Sequence, residues 1–522
     1  MGEEVREAVS GRAAQPECVP DATGLLLLLA LAKSALHFAT ISNYGYFRDE
    51  LYYLACADHL AWGYVDHPPF SIAVLAVTRF LFGDSLLAIR LPVVLAGALT
   101  VVLTGWLARE LGGGRFAQVL AALAFVFMPV ALGMASFYSM NALDLLFWLG
   151  AVYVLVRIIN SDDERLWVAF GAIVGAGMMN KISVGFLVFG LLVGFVLTKQ
   201  RRLLGSAWFW LGGVIAGLLF LPHVIWQIAN GFPTLEFMRN ASELKIQAMS
   251  VAAYLGAQVF YTSPAAVPIW VGGLLYLLFA RAAGAYRALG IAYLAILALL
   301  VSQHGKAYYL APAYPMLFAA GGVAYERLSA GGGWRWLRPA LVGLVALGGI
   351  VVLPLAVPLL PPESVVRYAA AIGVEAPQEE RHRRVPLAQH FADRFGWENM
   401  VATIARVYQA LPPEERSRAA IVAGNYGEAG AIDFFGGRYG LPHAISSHNN
   451  YWLWGPGNTT GDVAIVIGAS GEQLQEFFAD VTQVDTIVSE YAMASETNLP
   501  VYVCRGLKRP LAEVWPALKR FR

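Results

Sequence analysis

A chain of 522 residues with a net charge of +1 could be a soluble enzyme of several domains, but 58% of its residues are hydrophobic and only 14% are charged, against about 25% charged in soluble domains. It has too little polar surface to cover itself in water. The near-neutral balance also excludes a nucleic-acid partner, which requires a concentrated basic face.

The apolar residues fall in runs near the ~20 residues needed to cross hydrocarbon. Residues 1–22 form a short polar tail, read as cytoplasmic, and the first run has no small-residue cleavage site, so it is a retained span. Eleven spans are predicted, at about 23–42, 87–107, 115–134, 140–159, 164–179, 182–198, 207–229, 252–279, 286–303, 307–325 and 338–359. With the N-terminus inside, Arg109, Arg115, Arg157, Arg165, Lys199, Arg201, Arg202, Arg281, Arg287, Arg327, Arg335 and Arg338 fall in cytoplasmic loops, as the positive-inside rule requires.

The loop after the first span, 43–86, is far longer than a connector needs and is rich in aromatic residues: NYGYFRDELYYLACADHLAWGYVDHPPF. Loops of that length in a compact protein are functional or disordered, and the aromatic content argues for a packed, interfacial setting. Asp49 and Glu50 open an amphipathic stretch. Carboxylates there either cap a helix or face a cavity as a general base for an acceptor hydroxyl or amine. Asp66 and His67, before Pro68 and Pro69, are either punctuation at a helix start or a second acidic site. Tyr46 and Tyr52 are candidate substrate contacts in the same loop.

Further along, Asn141 and Asp144 in SFYSMNALD place polar groups near the outer end of a span. A lone charge there costs ~2.5–3.5 kcal/mol on insertion scales, so Asp144 must face a cavity or a partner. Lys181 lies in the turn MMNKIS, and Lys306 in SQHGKAYYLAPAYP beside His304 and Tyr308. Arg239 and Lys245 follow Gly231; Lys245 reads as a side chain reaching for the interface. Isolated cations at headgroup depth around a base would hold a lipid phosphate and stabilise it as a leaving group.

After about residue 360 the pattern changes. Prolines 354, 358, 361 and 362 and a charged stretch from Glu379 to Arg384 lead into short apolar runs. Ala419–Ala423, Val463–Ile467 and Val501–Cys504 are predicted strands, and Leu387–Phe395 and Gly471–Ala479 predicted helices. Residues 360–522 are thus a small α/β domain, which an odd number of spans sends to the outer face. Cys18, Cys56 and Cys504 have unrelated spacings, which excludes a disulfide framework and gives no metal signature; buried free thiols are expected.

The residues YFRDELYYLACADHLAWGYVDHPPF, FLFGDSLLAIRLPVVLAGALTVVLTGWLARELGG, MMNKIS and KAYYLAPAYP resemble glycosyltransferase family 39, the dolichyl-phosphate-mannose protein mannosyltransferase group with its bacterial relatives that modify lipid A. The resemblance covers about residues 20–325. It implies a GT-C fold over residues 23–359, in a polytopic membrane protein of the bacterial plasma membrane type with its active site and outer domain on the non-cytoplasmic side. It also implies an inverting transferase that moves a hexose or pentose from a polyprenyl-phosphate donor, with no cofactor or metal needed.

The family's acidic pair maps onto Asp49 and Glu50, with Asp49 as the expected catalytic residue, and its lysine onto Lys181. Where bacterial relatives carry lysine before the paired prolines, this chain has His67, only partly charged near neutral pH, which leaves Lys306 or Arg239 to take over the phosphate. The acceptor, whether lipid, glycan or protein, is not written in the sequence. The competing class is a lipid-linked sugar flippase. Transport sites favour broken helices and internal repeats at the midplane, and no repeat is evident here.

Overall fold

The computed structural model describes residues 20–522 apart from 376, 377, 379 and 382. The predicted tail and Cys18 therefore lie outside the described residues except for its last three positions, and the charged stretch from Glu379 to Arg384 does so in part.

The membrane part is built from helices whose burial sorts them into layers. Met140–Ser161 sits at the centre, with 67% of its apolar window covered by protein. Ala207–Ala229 and Gly332–Ala356 are at the rim, with 11% and 22% covered. Their exposed Leu218, Ile225, Leu347 and Ile350 would be intolerable in water and are at home in hydrocarbon.

Among the described residues six helices are long and apolar enough to cross a membrane, and eight if two bent pairs each count as one crossing. The run 182–198 includes the helix Val184–Val196, which turns by 114° into Lys199–Gly205. The run 252–279 is not one straight span: Val251–Thr262 and Pro264–Phe279 meet at 92°. Ser263 there takes a φ of +74°, and a proline at the next position has no N–H for the first helix. The run 115–134 likewise divides into Arg115–Val126 and Pro129–Met134.

The loop 43–86 is mostly helical, as Arg48–Asp58 and Phe70–Phe82. The first begins where Phe47 N–H donates to the Glu50 carboxylate at 2.8 Å, the backbone half of a capping box. Three of the twelve basic side chains predicted to share one face lie at helix ends on the same side of the bundle. Arg115 Nε donates to the Asp21 carbonyl at 3.0 Å, Arg157 faces Glu110 at 3.7 Å, and Arg338 Nε donates to Ser329 Oγ at 2.9 Å. The helix Thr23–Thr40 begins at that end and finishes at the loop 43–86.

The C-terminal part holds a mixed five-stranded sheet: β1 (Ala420–Ala423), β2 (Ala444–Ser446), β3 (Val463–Val466), β4 (Phe478–Ile487) and β5 (Leu499–Leu507). Their order is β2-β1-β3-β5-β4, with β1 parallel to β2 and β3, and β5 antiparallel to β3 and β4. The three predicted strands are β1, β3 and the middle of β5. β4 mixes polar and apolar residues along an exposed edge, and β2 is only three residues long, so neither forms an apolar run. Gly471–Phe477 is helical as expected, whereas in Leu387–Phe395 only Gln389–Ala392 is α-helical.

The domain is seated on the first loop. The helix Tyr426–Gly436 packs against Arg48–Asp58, and Gly430 lies so close to the Leu51–Tyr52 backbone that a Cβ would collide with it. Val65 N–H donates to Asn450 Oδ1 at 2.7 Å. The Asn- and aromatic-rich motifs NYGEAGAIDFFGG and HNNYWLWGPG are thus the docking face of this domain. Cys56 and Cys504 are free, buried thiols.

Candidate active site

A cavity of about 900 Å³ opens where the first loop, the bent pair, the helix Leu337–Ala356 and the C-terminal domain meet. One wall is apolar, with Leu344, Leu347, Val351, Val352, Phe260 and Met134. The other carries Arg48, Asp49, Asp66, Lys245, Lys306 and Glu380. A greasy groove ending in a cluster of both charge signs suits an amphipathic ligand with an anionic head.

Asp49 is in this cavity and its side chain is 35% exposed. It sits in the first turn of Arg48–Asp58, where unpaired backbone N–H groups favour a carboxylate. Tyr426 Oη donates to its Oδ1 at 2.9 Å, and Arg48 stands 3.8 Å away. Asp66 also lines the cavity and accepts from Tyr52 Oη at 3.0 Å. Burial raises the Asp66 carboxyl above the usual range, against the pull of His67 and the Tyr52 hydrogen bond.

Glu50, expected beside Asp49 in the chemistry, points the other way. Successive helical residues lie ~100° apart, and this carboxylate is fully buried on Arg90, with contacts of 2.7 and 2.8 Å. It also accepts from the backbone N–H groups of Phe47 and Tyr138, at 2.8 and 2.6 Å. With four bonds made it holds the first loop to the helix Leu86–Glu110, and it is absent from the cavity wall.

Lys306 lines the cavity and donates to Glu380 Oε1 at 2.5 Å, with Tyr308 lining the wall beside it. Burial opposes its charge, but Tyr308 and the Glu380 carboxylate outweigh that and hold its pKa well above the ordinary lysine value. Lys245, read from sequence as an interfacial side chain, is in fact part of the cavity, 3.5 Å from the same carboxylate. Its pKa is lowered by burial, only partly offset by Glu380.

Lys181 stands just behind the wall. Its Nζ donates to Asn141 Oδ1 at 2.8 Å, and Asn141 lines the cavity; the Tyr309 ring centroid is 4.9 Å away. Asp144 has found a partner rather than a cavity: Ser183 Oγ lies 2.8 and 2.7 Å from its two oxygens, and Lys181 is 3.7 Å away.

Other expected contacts lie elsewhere. His67 is buried among Tyr53 and Tyr64, with Nδ1 3.0 Å from the Pro68 carbonyl. Arg239 is exposed and paired with Glu243 at 3.2 Å. His304 is exposed at a turn with φ +53°. Tyr46 donates to the Asp84 carbonyl at 2.8 Å and packs on Phe434. None of these four lines the cavity.

Sequence reasoning missed Arg48, Lys245, Glu380, Asp393 and Tyr426, all on the cavity wall. Among the described residues the nearest acidic partner of Arg48 is Asp393, at 3.6 Å. Its place next to Asp49 was a signal; the others lie far off in sequence. Among the described residues no group of three His, Cys, Asp or Glu side chains is arranged to hold a metal.

Residues 66–226 match the family model described as dolichyl-phosphate-mannose-protein mannosyltransferase. The crystal structure of ArnT from Cupriavidus metallidurans bound to undecaprenyl phosphate superposes with a TM-score of 0.62 at 16% identity, covering 92% of this chain and 98% of that one. The fold is GT-C. The apo ArnT structure from the same organism gives a TM-score of 0.60 at 17% identity with the same coverage. No curated protein matches the sequence. The resemblance to glycosyltransferase family 39 is thus met by the family model over residues 66–226, and the likeness to the ArnT structures, over 92% of this chain, extends to the C-terminal sheet domain as well as the membrane helices.

Proposed function

We propose that this integral membrane protein is a glycosyltransferase that moves a hexose or pentose, with inversion, from a polyprenyl-phosphate donor to an acceptor hydroxyl or amine. The observation that carries the reading is the shared cavity. A partly exposed carboxylate, Asp49, and two lysines, Lys245 and Lys306, line one chamber whose other wall is apolar. The polyprenyl chain lies along Leu344, Leu347 and Val351, and the phosphate meets the lysines, with Lys181 behind Asn141. The relative of similar fold was crystallised with undecaprenyl phosphate, a ligand of this chemistry.

The acceptor proton goes to Asp49 as the new bond forms at the anomeric carbon. The bond from that carbon to the phosphate oxygen breaks, and its electron pair leaves with the phosphate. Arg48, Lys245 and Lys306 stabilise the charge that develops there; no metal enters this reading. Asp66, Asn141 and Tyr308 line the chamber and are placed to contact the sugar or acceptor, whereas Tyr52, expected there too, is fully buried and reaches the chamber only through its hydrogen bond to Asp66. His67, Arg239, His304 and Tyr46 have no part in it.

We place this chamber and residues 360–522 on the non-cytoplasmic face of a bacterial plasma membrane, with eleven crossings between residues 23 and 359. The gathering of Arg115, Arg157 and Arg338 at the opposite end supports that orientation.

The test is an assay in liposomes with a labelled polyprenyl-phosphate sugar and a mixed pool of envelope acceptors. Release of polyprenyl phosphate with label passing to an acceptor is expected. Movement of intact donor between leaflets without release would instead make the protein a flippase.

A further inference from the structure

Two lysines in the cavity share one carboxylate. Glu380 Oε1 lies 2.5 Å from Lys306 Nζ and 3.5 Å from Lys245 Nζ, and its Oε2 accepts from Gln389 Nε2 at 3.3 Å. The backbone fixes this register: Ile246 and Glu380 form an antiparallel bridge, and Arg381 N–H donates to the Lys245 carbonyl at 2.8 Å. Glu380 is 9% exposed and lines the cavity. Both lysines of the chamber are therefore already engaged by an anion belonging to the chain.

Resting on the proposed function, we infer that Glu380 is a tethered occupant of the donor-phosphate subsite, which competes with the lipid phosphate for Lys245 and Lys306 and so hastens release of the spent carrier. The chemistry gives the competition a direction. In the donor the phosphate is a diester with one negative charge. Transfer breaks the bond between the anomeric carbon and the phosphate oxygen, the pair stays on oxygen, the acceptor proton goes to Asp49, and the product is a monoester with up to two charges. Two bare lysines would hold that product much more tightly than the donor, and turnover would stall on it. A third party of charge −1 lowers the net charge of the pair from +2 to +1, which weakens the doubly charged product more than the singly charged donor. Both anions use the same charge-assisted donors, and a tethered carboxylate competes at high effective concentration.

The experiment is a binding titration of undecaprenyl monophosphate to the full chain in phosphatidylcholine nanodiscs, with no acceptor present. Glu380→Gln is expected to tighten binding about tenfold, the value of one charge-assisted hydrogen bond set free. Lys245→Gln and Lys306→Gln are expected to weaken it. Glu380→Asp, one methylene shorter, keeps the charge and should fall between wild type and Gln, which decides the matter if the Gln variant fails to fold. In steady state, Glu380→Gln should also lower kcat and deepen product inhibition more than it lowers the donor KM. Unchanged or weaker binding in a folded Glu380→Gln or Glu380→Asp protein overturns the inference. Tightened binding by a protein that transfers no sugar would sink the proposed function and leave this competition standing.

Discussion

The phenol of Tyr426 donates to Oδ1 of Asp49 at 2.9 Å, joining the C-terminal domain to the first loop across 377 residues of chain. The ring is held between Tyr52, 4.6 Å away, and His448, 4.9 Å away, so the hydroxyl has little freedom to turn elsewhere. Tyr426→Phe removes this one bond and leaves the packing. A hydrogen bond to a charged group contributes ~1.5–3 kcal/mol; with part of that realised in orienting the base, kcat is expected to fall about tenfold with the donor KM nearly constant. Initial rates over a donor titration check this, and a wild-type kcat would remove Tyr426 from the positioning of Asp49.

Asp49→Asn keeps the shape of the side chain and removes its basicity. Turnover should drop by about 10²–10⁴, the usual contribution of a positioned general base, while the thermal unfolding midpoint stays near that of the wild type. Turnover within a few-fold of normal would show that the acceptor loses its proton to another group.

Glu50→Gln is expected to act on the fold. It leaves Arg90, 1% exposed and within 2.5–2.9 Å of Glu50, the Ile41 carbonyl and the Gly45 carbonyl, without its countercharge. Breaking one side of a buried ion pair costs about 3–5 kcal/mol. The variant should unfold at distinctly lower temperature, and whatever folds should bind donor normally. A stable Glu50→Gln protein with abolished turnover would return Glu50 to the chemistry.

Glu428 and Glu496 make a buried carboxylate pair in the C-terminal domain, bridged by Asn425 Nδ2 at 2.9 and 3.1 Å. Burial pushes both carboxyls up, and for Glu428 the neighbouring Glu496 adds to the effect. A carboxyl whose pKa is higher in the folded than in the unfolded chain stabilises the fold below its unfolded value, near 4.5. That contribution is lost as pH rises through the folded value. The unfolding midpoint should therefore decline from pH 5 towards pH 8. Glu496→Gln should flatten the decline and be the more stable protein at pH 8, by on the order of 1 kcal/mol. A difference between the two proteins that does not change with pH would count against a shared proton.

Local patterns in the sequence carried the six long apolar helices, though not the count of eleven spans, and three of the five strands, because each rests on neighbours within a few residues. They could not say which of Asp49 and Glu50 faces the cavity: the answer depends on Arg90, 40 residues on, and on the backbone N–H of Tyr138. Lys245 looked like an interfacial side chain because its partner, Glu380, lies 135 positions later. Tyr426 sat in a motif whose role shows only when the domain is docked. The break in 252–279 was announced by Ser263-Pro264, but an apolar run on both sides hides an angle of 92° from any hydropathy average.

That break shapes the route into the protein. Phe260, Tyr261, Ser263, Pro264 and Ala265 all border the chamber at the elbow, facing Leu344, Leu347 and Val351 of the rim helix. A straight rod in place of the elbow would close this side and force a long-chain carrier to climb out of the bilayer to reach the charged end. With the elbow, a carrier of the proposed kind would enter edgewise while its tail stayed dissolved among neighbouring lipids.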